Sequence, residues 1–298
     1  MAQGEWEATT GFITAALEIL EQENPMTVRQ LFYRLVSVGH IQNTTPDYQR
    51  VSRLIAKCRR DDRCPYEWIV DRSRPTYQPS VWRDPAGYAK SVKRWYRKDY
   101  WATQPEYVEI WSEKDSVIGS IQDLTDELGI IVRVGRGFQS VTRINDVAKH
   151  LVNIRKPKTV LYLGDWDPSG ESIQRAPHAG IQERAEQFAQ VGDYSRSAFT
   201  VERVAIHKAD IAIFNLPPLL IKRKENGDYK DSRAKKFVQQ HGEDCVELDA
   251  LPPTELRRRI RVEVEKRLDL VRWKRAIEIE KVELSSIVET VSKWGLGV

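Results

Sequence analysis

Cysteine and histidine are scarce in this chain, and their scarcity excludes several kinds of site. The three cysteines, Cys58, Cys64 and Cys245, are too few and too widely spaced for a disulfide framework or a paired-cysteine zinc site. The five histidines form no HExxH motif and no close cluster. We therefore expect the thiols to be structural and the chemistry to depend on other residue types.

Long apolar runs are equally absent. No stretch approaches the roughly 18 apolar residues that a membrane-spanning helix needs. The first residues, MAQGEWEATTGF, lack the basic and then apolar pattern of a signal peptide. Hydrophobic residues make up 41% of the 298 residues and charged residues 30%, a balance typical of a globular protein long enough for two domains. These features predict a cytoplasmic protein without a membrane partner.

What the chain does contain is an uneven distribution of charge behind a net charge of only +4. Residues 26–100 hold 16 Lys and Arg against 7 Asp and Glu, whereas residues 1–25 hold five Glu and no basic residue. Residues 101–298 hold 31 charges of each sign. A basic N-terminal module suggests a polyanion-binding part, and an ordinary solvated surface remains the alternative at this point.

The N-terminal part has the pattern of three helices. Residues 9–23 carry apolar residues at helical spacing, and Thr27 is a suitable N-cap for a second helix that Gly39 ends. Residues 48–62, YQRVSRLIAKCRRDD, form the third and basic helix, and residues 67–72, EWIVDR, follow as a short strand. This order predicts a winged helix-turn-helix domain over residues 1–100, linker included.

The third helix would enter a DNA groove in such a domain. Its basic side chains would contact phosphates, which position a protein on DNA without reading its sequence. The candidate DNA-binding residues are Arg50, Arg53, Lys57, Arg59 and Arg60.

Strand-like and helical segments alternate after the proline-containing connection at residues 72–106. The strand-like segments are YVEIWSE, GIIVRVG, TVLYLGD and SAFTVERVAI, each except the last followed by a helical pattern. Such alternation predicts an α/β fold with a doubly wound, mostly parallel sheet over residues 101–298, completed by C-terminal helices.

Acidic residues follow two of these strands. Glu113 ends the first, and Asp165 and Asp167 follow the apolar run Val160–Leu163, which reads as a strand buried on both faces. Ligands of open α/β sheets bind just past the carboxyl ends of strands. Three converging carboxylates would repel each other unless a cation such as Mg²⁺ lies between them. The alternative is that the aspartates serve as an N-cap and a turn residue.

These motifs resemble a Toprim domain, the metal-binding module of topoisomerases, primases and some nucleases. The stretch DWDPSGESI is similar to the D-x-D-P-x-G-x-x-I motif of the type IIB topoisomerase (topoisomerase VI) A subunit, a family that includes the meiotic double-strand-break transesterase. Residues 113–117 match its E-K-x-x-V motif. The segment GRGFQSVTR resembles its glycine-rich segment, with Gln139 in place of proline. The chain looks closest to the short stand-alone relatives called mini-A.

The N-terminal half resembles the same family. Arg29-Gln30-Leu31-Phe32-Tyr33 matches an R-x-x-Y-Y motif with Phe32 in place of the first tyrosine, so the resemblance implies that Tyr33 is the nucleophile. At about 100° per residue, Tyr33 lies roughly 140° from the centre of the helix's apolar stripe. We therefore expect Tyr33 to point away from the core, with Arg29 one turn earlier on the same side.

The resemblance implies a Mg²⁺-dependent DNA transesterase that forms a 5′-phosphotyrosyl link through Tyr33, assisted by Arg29, with Glu113, Asp165 and Asp167 holding the metal. It also implies a homodimer acting on double-stranded DNA, in which the two halves of each active site come from different subunits. An ATP-driven strand-passage cycle would need a separate ATPase subunit. Two alternatives remain: metal-dependent hydrolysis without a covalent intermediate, and DNA binding without catalysis. The role of residues 215–256 is open; Glu247 and Asp249 either reach the metal site or belong to a turn before Pro252.

Overall fold

The computed structural model describes residues 3–70, 79–135, 140–189 and 196–293. The helices of the N-terminal third are α1 (Gln3–Glu23), α2 (Val28–Ser37), α3 (Thr45–Arg60) and α4 (Pro85–Trp95). Those that follow are α5 (Ile118–Glu127), α6 (Val141–Asn153), α7 (Pro168–Phe188), α8 (Lys208–Ile213), α9 (Ala234–His241), α10 (Pro253–Glu265) and α11 (Leu270–Ser292). In these ranges no helix is both long and apolar enough to cross a membrane.

A four-stranded parallel sheet forms the centre of the molecule. Its strands are β1 (Tyr107–Ser112), β2 (Ile131–Val134), β3 (Lys158–Leu163) and β4 (Thr200–Ala205), in the order β2-β1-β3-β4. Every residue of β1 and β3 is buried, because helices cover both faces of the sheet. The predicted α/β fold with parallel strands is therefore confirmed, and all four strand-like segments form strands.

The N-terminal helices agree with their sequence signals. Thr27 caps α2 in a reciprocal capping box with Gln30, as its position predicted. The third helix begins three residues earlier than expected, because the Thr44 side chain accepts a hydrogen bond from the Asp47 amide and caps it there. The α4 helix, from the segment interpreted as a connection, packs against α11.

The strand predicted at residues 67–72 is wrong over its described part. Residues Tyr66–Trp68 form a 3-10 helix, and Ile69 makes only an isolated parallel bridge to Met26. Met26 makes two backbone hydrogen bonds of 3.0 Å there: its amide donates to the Trp68 carbonyl, and its carbonyl accepts from the Val70 amide. A short apolar run beside a single partner residue cannot extend into a ladder. Residues 71 and 72 lie outside the described ranges.

One apolar core joins the N-terminal helices to one face of the sheet. Buried side chains of α1, α2 and α3 belong to the same cluster as those of β1, β3 and α10. The Arg257 guanidinium reinforces this junction by donating to the carbonyls of Glu23, Asn24, Pro25 and Ser120. The thiols are free and buried, as expected of structural cysteines. A second cluster covers the opposite face of the sheet beneath α6 and α7.

Candidate functional site

The carboxyl ends of β1 and β3 bring two of the predicted acidic residues together. The strands pair directly, with Ser112 opposite Leu163, and the Glu113 amide continues the ladder by donating to the Leu163 carbonyl at 2.8 Å. The Asp165 amide then donates to Oε2 of Glu113 at 3.1 Å. Glu113 and Asp165 therefore share one sheet edge, as the strand pattern predicted.

Asp167 lies at the start of α7 and acts as its N-cap. Its Oδ1 accepts a hydrogen bond of 2.5 Å from the Gly170 amide, and Pro168 occupies the first helical position. A Cβ on Gly170 would lie 2.2 Å from the Asp165 carbonyl oxygen and 3.2 Å from Oε2 of Glu113. The glycine thus lets the helix begin directly against the acidic strand end. The interpretation of Asp167 as an N-cap is correct, and the capping hydrogen bond occupies one of its two carboxylate oxygens.

Lys114 is the cation at the centre of the acidic cluster. Its Nζ lies 3.1 Å from Oδ2 of Asp165, 2.9 Å from Oε2 of Glu247 and 3.2 Å from Oδ2 of Asp249. Burial works against its charge, but the three carboxylates together raise the pKa of Lys114 above its usual value. The ammonium group therefore stays charged and balances the carboxylates around it.

Glu247 and Asp249 come from residues 215–256, whose role was open at the level of the sequence. They follow the short antiparallel pair β5 (Leu219–Leu220) and β6 (Asp244–Cys245), and Asp249 lies in a 3-10 turn before Pro252. The turn interpretation is correct, and it also places both carboxylates beside Lys114. Hydrogen bonds between the backbones of Trp166 and Val246 hold this segment against the acidic loop, residues 164–167, which carries Asp165 and Asp167.

Burial sets the protonation of the strand-end carboxylates. It raises the pKa of Asp165 to about 7, although Lys114 opposes the shift and the Leu248 amide donates to Oδ1 at 2.7 Å. Burial also raises the pKa of Glu113, and the charge of Asp167 contributes to that shift. These carboxylates are therefore electrostatically coupled, and a cation bound among them would favour their ionised forms.

The donor set matches the preferences of a hard divalent cation, but the side chains do not form a closed coordination shell. Within the described ranges, no group of three or more His, Cys, Asp or Glu side chains is arranged to hold a metal ion. Glu113, Asp165 and Asp167 nevertheless offer the carboxylate oxygens that Mg²⁺ takes, commonly together with water and phosphate. The residues fit such an ion by chemistry, and magnesium stays a prediction.

Tyr33 does not point away from the core, and that expectation is wrong. Its side chain is only 3% exposed and its ring centroid lies 5.2 Å from that of Phe32, and α2 contacts the turn at Leu248–Ala250. Burial raises the pKa of Tyr33 to about 12, with a further rise from Glu247 that Arg29 and Lys114 oppose. The phenol is therefore protonated at neutral pH.

Arg29 lies one turn before Tyr33 on the same side, as predicted. Its Nη2 lies 3.3 Å from the Tyr33 hydroxyl and can donate to it. The guanidinium also forms a hydrogen-bonded ion pair with Glu247, in which Nε lies 2.8 Å from Oε2 and Nη2 lies 2.6 Å from both carboxylate oxygens. Glu247 therefore connects the tyrosine's helix to Lys114 at the sheet edge.

A cavity of about 720 Å³ brings the two predicted halves of the site together. Its walls include Arg29 and Tyr33 from α2 together with Asp165 and Asp167 from the sheet edge. A third wall comes from residues 219–222 and 230–231. Groups more than a hundred positions apart in the sequence thus face one space large enough for part of a nucleic-acid strand.

The basic residues of α3 have mixed environments. The Arg50 guanidinium lies over the Phe12 ring at 5.1 Å, and that of Arg59 lies over the Tyr66 ring at 4.7 Å. Arg53, Lys57 and Arg60 are exposed. The cavity is lined by the start of this helix, from Asn43 to Tyr48, so these five side chains lie on α3 beyond its margin.

Sequence reasoning missed two residues that organise the site and left the role of a third, Glu247, open. Lys114 follows Glu113 inside the motif, a signal that could have been used. Arg203 on β4 carries no signal, yet its Nη1 donates at 3.1 Å to the carbonyls of both Gly164 and Asp165. It thereby holds the acidic loop in place.

The glycine-rich segment is described only in part. A Cβ on Gly135 would lie 3.1 Å from Cα of Glu113, so the lack of a side chain lets the two backbones approach closely. Gly137 and Gln139 lie outside the described residues.

Comparisons with protein-family models, curated proteins and solved structures found no match to this chain.

Proposed function

We propose that this chain is a Mg²⁺-dependent DNA transesterase of the type IIB topoisomerase A-subunit kind, built from a winged-helix module and a Toprim-like module. The observation that carries the proposal is the shared cavity: Tyr33 and Arg29 line it together with Asp165 and Asp167. Two motifs that resemble one family separately therefore face a common space. If the resemblance were coincidental, there would be no reason for the two motifs to face the same cavity.

The reaction would transfer a phosphodiester to the tyrosine. Oη of Tyr33 forms a bond to phosphorus, the bond from phosphorus to O3′ breaks, and the 3′ hydroxyl leaves with a proton. The raised pKa of Tyr33 means that the phenolic proton must be removed during attack. Arg29, within hydrogen-bonding distance of the hydroxyl, would stabilise the developing phenolate.

The acidic edge would supply the electrostatics. Glu113, Asp165 and Asp167 would hold magnesium, which supplies positive charge beside the scissile phosphate. Lys114 pairs with Asp165 and would offset part of the negative charge beside the phosphate. Arg53, Lys57 and Arg60 would contact phosphates farther along the duplex.

Metal-dependent hydrolysis is the second candidate, and the burial of Tyr33 favours it. A side chain that is 3% exposed, with a pKa raised to about 12, is a poor nucleophile until its surroundings open. In hydrolysis, a water molecule in the cavity would attack the phosphorus atom instead of the Tyr33 hydroxyl.

The deciding experiment incubates supercoiled plasmid with the protein and Mg²⁺, stops the reaction with SDS, and runs gels with and without protease. Tyr33→Phe is compared with Tyr48→Phe, because Tyr48 lines the same cavity. The transesterase predicts DNA breaks that stay protein-linked until proteolysis, in the unaltered protein and in Tyr48→Phe but not in Tyr33→Phe. Protein-free breaks that persist in Tyr33→Phe would identify a hydrolase.

Binding of DNA without breakage in any lane, with or without Mg²⁺, would contradict catalysis by this chain alone. It would favour a DNA-binding protein or the need for an ATPase subunit. A homodimer is part of the proposal, because one tyrosine cuts one strand and a duplex break needs two.

A further inference from the structure

A basic β-hairpin, residues 221–231, forms one wall of the cavity. The Lys230 amide donates to the Lys222 carbonyl at 2.9 Å, and the Lys224 amide donates to the Asp228 carbonyl at 2.7 Å. Between these bonds, Arg223 and Tyr229 form an isolated antiparallel bridge. Gly227, at φ +84°, turns the chain. The register therefore places Lys222 directly opposite Lys230.

The two sides of this hairpin have different partners. On one side, Arg223 stacks on Tyr229 at 4.2 Å, and both side chains hydrogen-bond to Oε1 of Glu243. These contacts fix the hairpin to the body of the protein. The other side carries Lys222 and Lys230, both exposed and both lining the cavity.

Two lysines directly opposite each other on a hairpin repel, which destabilises the pairing. Among the described residues, no carboxylate lies within ion-pair distance of either ammonium group, and the neighbouring Asp231 pairs with Arg233 at 2.7 Å. The repulsion therefore remains in the free protein, and an anion between the two lysines would relieve it.

We propose that Lys222 and Lys230 form a phosphodiester-binding subsite that holds a DNA strand in the cavity, facing the acidic edge. This inference rests on the proposed function, because it names a DNA contact of the same site. Asp165 and Asp167 repel a polyanion, so the opposite wall must supply cations for a strand to enter. Lysine ammonium groups suit this task as point charges that bind phosphate without selecting a base.

The test measures DNA binding by the full-length Tyr33→Phe protein, which cannot form the tyrosyl link. Fluorescence anisotropy with a labelled duplex would be recorded between about 50 and 200 mM salt. Lys222→Gln/Lys230→Gln is compared with Lys235→Gln/Lys236→Gln, which removes the same charge from exposed positions on α9. Thermal melts confirm that each variant is folded.

We expect the hairpin variant to bind at least roughly tenfold more weakly near 0.1 M salt, and its salt slope to fall by about two, one per lost phosphate contact. Lys222→Arg/Lys230→Arg should restore most of the affinity because it restores the charge. The α9 variant should keep the parental slope.

Each other result overturns the subsite, and the results separate it from the proposed function. If the parent protein binds DNA and the hairpin variant binds equally well, the subsite is wrong and the transesterase proposal stands. If the α9 variant weakens binding as much, the effect belongs to overall charge. If the parent protein binds no DNA, both proposals fail.

Discussion

At the scale of single residues, Glu247 determines which groups are free to act. Burial opposes its ionisation, but Lys114 and Arg29 outweigh burial and lower the pKa of Glu247 below its usual value. It is therefore charged at neutral pH and holds the Arg29 guanidinium in a bidentate pair. A DNA phosphate in the cavity would compete with Glu247 for the same guanidinium.

Glu247→Gln should make cleavage faster at neutral pH. Burial is the largest cause of the raised pKa of Tyr33 and the Glu247 charge adds to it, so removing that charge lowers the pKa part of the way from about 12. The tyrosinate fraction at a given pH below the pKa grows roughly tenfold for each unit by which the pKa falls. Initial rates of covalent complex formation, measured from pH 7 to the alkaline limit of stability, should shift to lower pH in the variant.

The control for this prediction is Glu278→Gln, which removes an exposed carboxylate from α11 that does not line the cavity. Its pH profile should match that of the unaltered protein. A uniform decrease in the rate of Glu247→Gln at every pH would contradict the electrostatic account and leave Glu247 as a group that positions Arg29.

Residue-scale prediction from sequence succeeded where the backbone alone decides position. Glu113 and Asp165 follow adjacent parallel strands, so their proximity follows from the strand pattern. The environment of Tyr33 could not be predicted in this way. Helical periodicity describes the faces of α2 only, whereas α2 also contacts the turn at Leu248–Ala250, more than two hundred positions away in the sequence.

At the scale of elements, the junction between β3 and α7 is the tightest part of the site. The helix begins three residues after Asp165, and the Gly170 position lies against the Asp165 backbone. Because both partners are backbone, a side chain at this position cannot be accommodated by a change of rotamer.

Gly170→Ala should therefore destabilise the protein by roughly 2 kcal/mol or more, and Mg²⁺-dependent activity should be lost with it. Gly180→Ala, on the same helix, provides the matched control, because the nearest atom to its Cβ would be Cδ1 of Ile144 at 3.6 Å. That change should stabilise by about 0.5–1 kcal/mol through helix propensity. Urea unfolding of both variants measures the difference, and equal stabilities would contradict this account.

The elements themselves were largely predictable. Continuous apolar runs identified the central strands β1 and β3, because parallel strands covered on both faces are continuously apolar. The edge strands β2 and β4 are only partly buried. The run at residues 67–70 has the same appearance but only Met26 as a partner, and it remains a bridge. A sequence pattern indicates burial more reliably than it indicates how many neighbours a strand finds.

At the scale of the whole molecule, the cavity unites the tyrosine and the acidic edge within one chain. The family resemblance implies instead that the two halves of each active site come from different subunits. Arg29 and Glu247 join the halves directly, and the shared core of the N-terminal helices and the sheet supports the same pairing.

Mixing two inactive variants distinguishes the arrangements. Tyr33→Phe lacks the proposed nucleophile, and Asp167→Asn lacks a proposed metal ligand. If each chain uses its own tyrosine, the mixture should form no protein-linked DNA after subunit exchange. Single-strand breaks linked to the Asp167→Asn chain would show that the halves combine between subunits. The unaltered protein mixed with either variant serves as the positive control.

The ion pair between Arg29 and Glu247 also has a consequence for the nascent chain during translation. Its partners are 218 positions apart, so at about 5–20 residues per second roughly 10–40 s of synthesis separate their appearance. During that interval α2 can fold, but Lys114 has neither Glu247 nor Asp249, and one wall of the cavity does not yet exist. A chain still being made therefore cannot hold its tyrosine in the finished arrangement until residues 247–249 have been synthesised, and any competence to break DNA would begin only after that point.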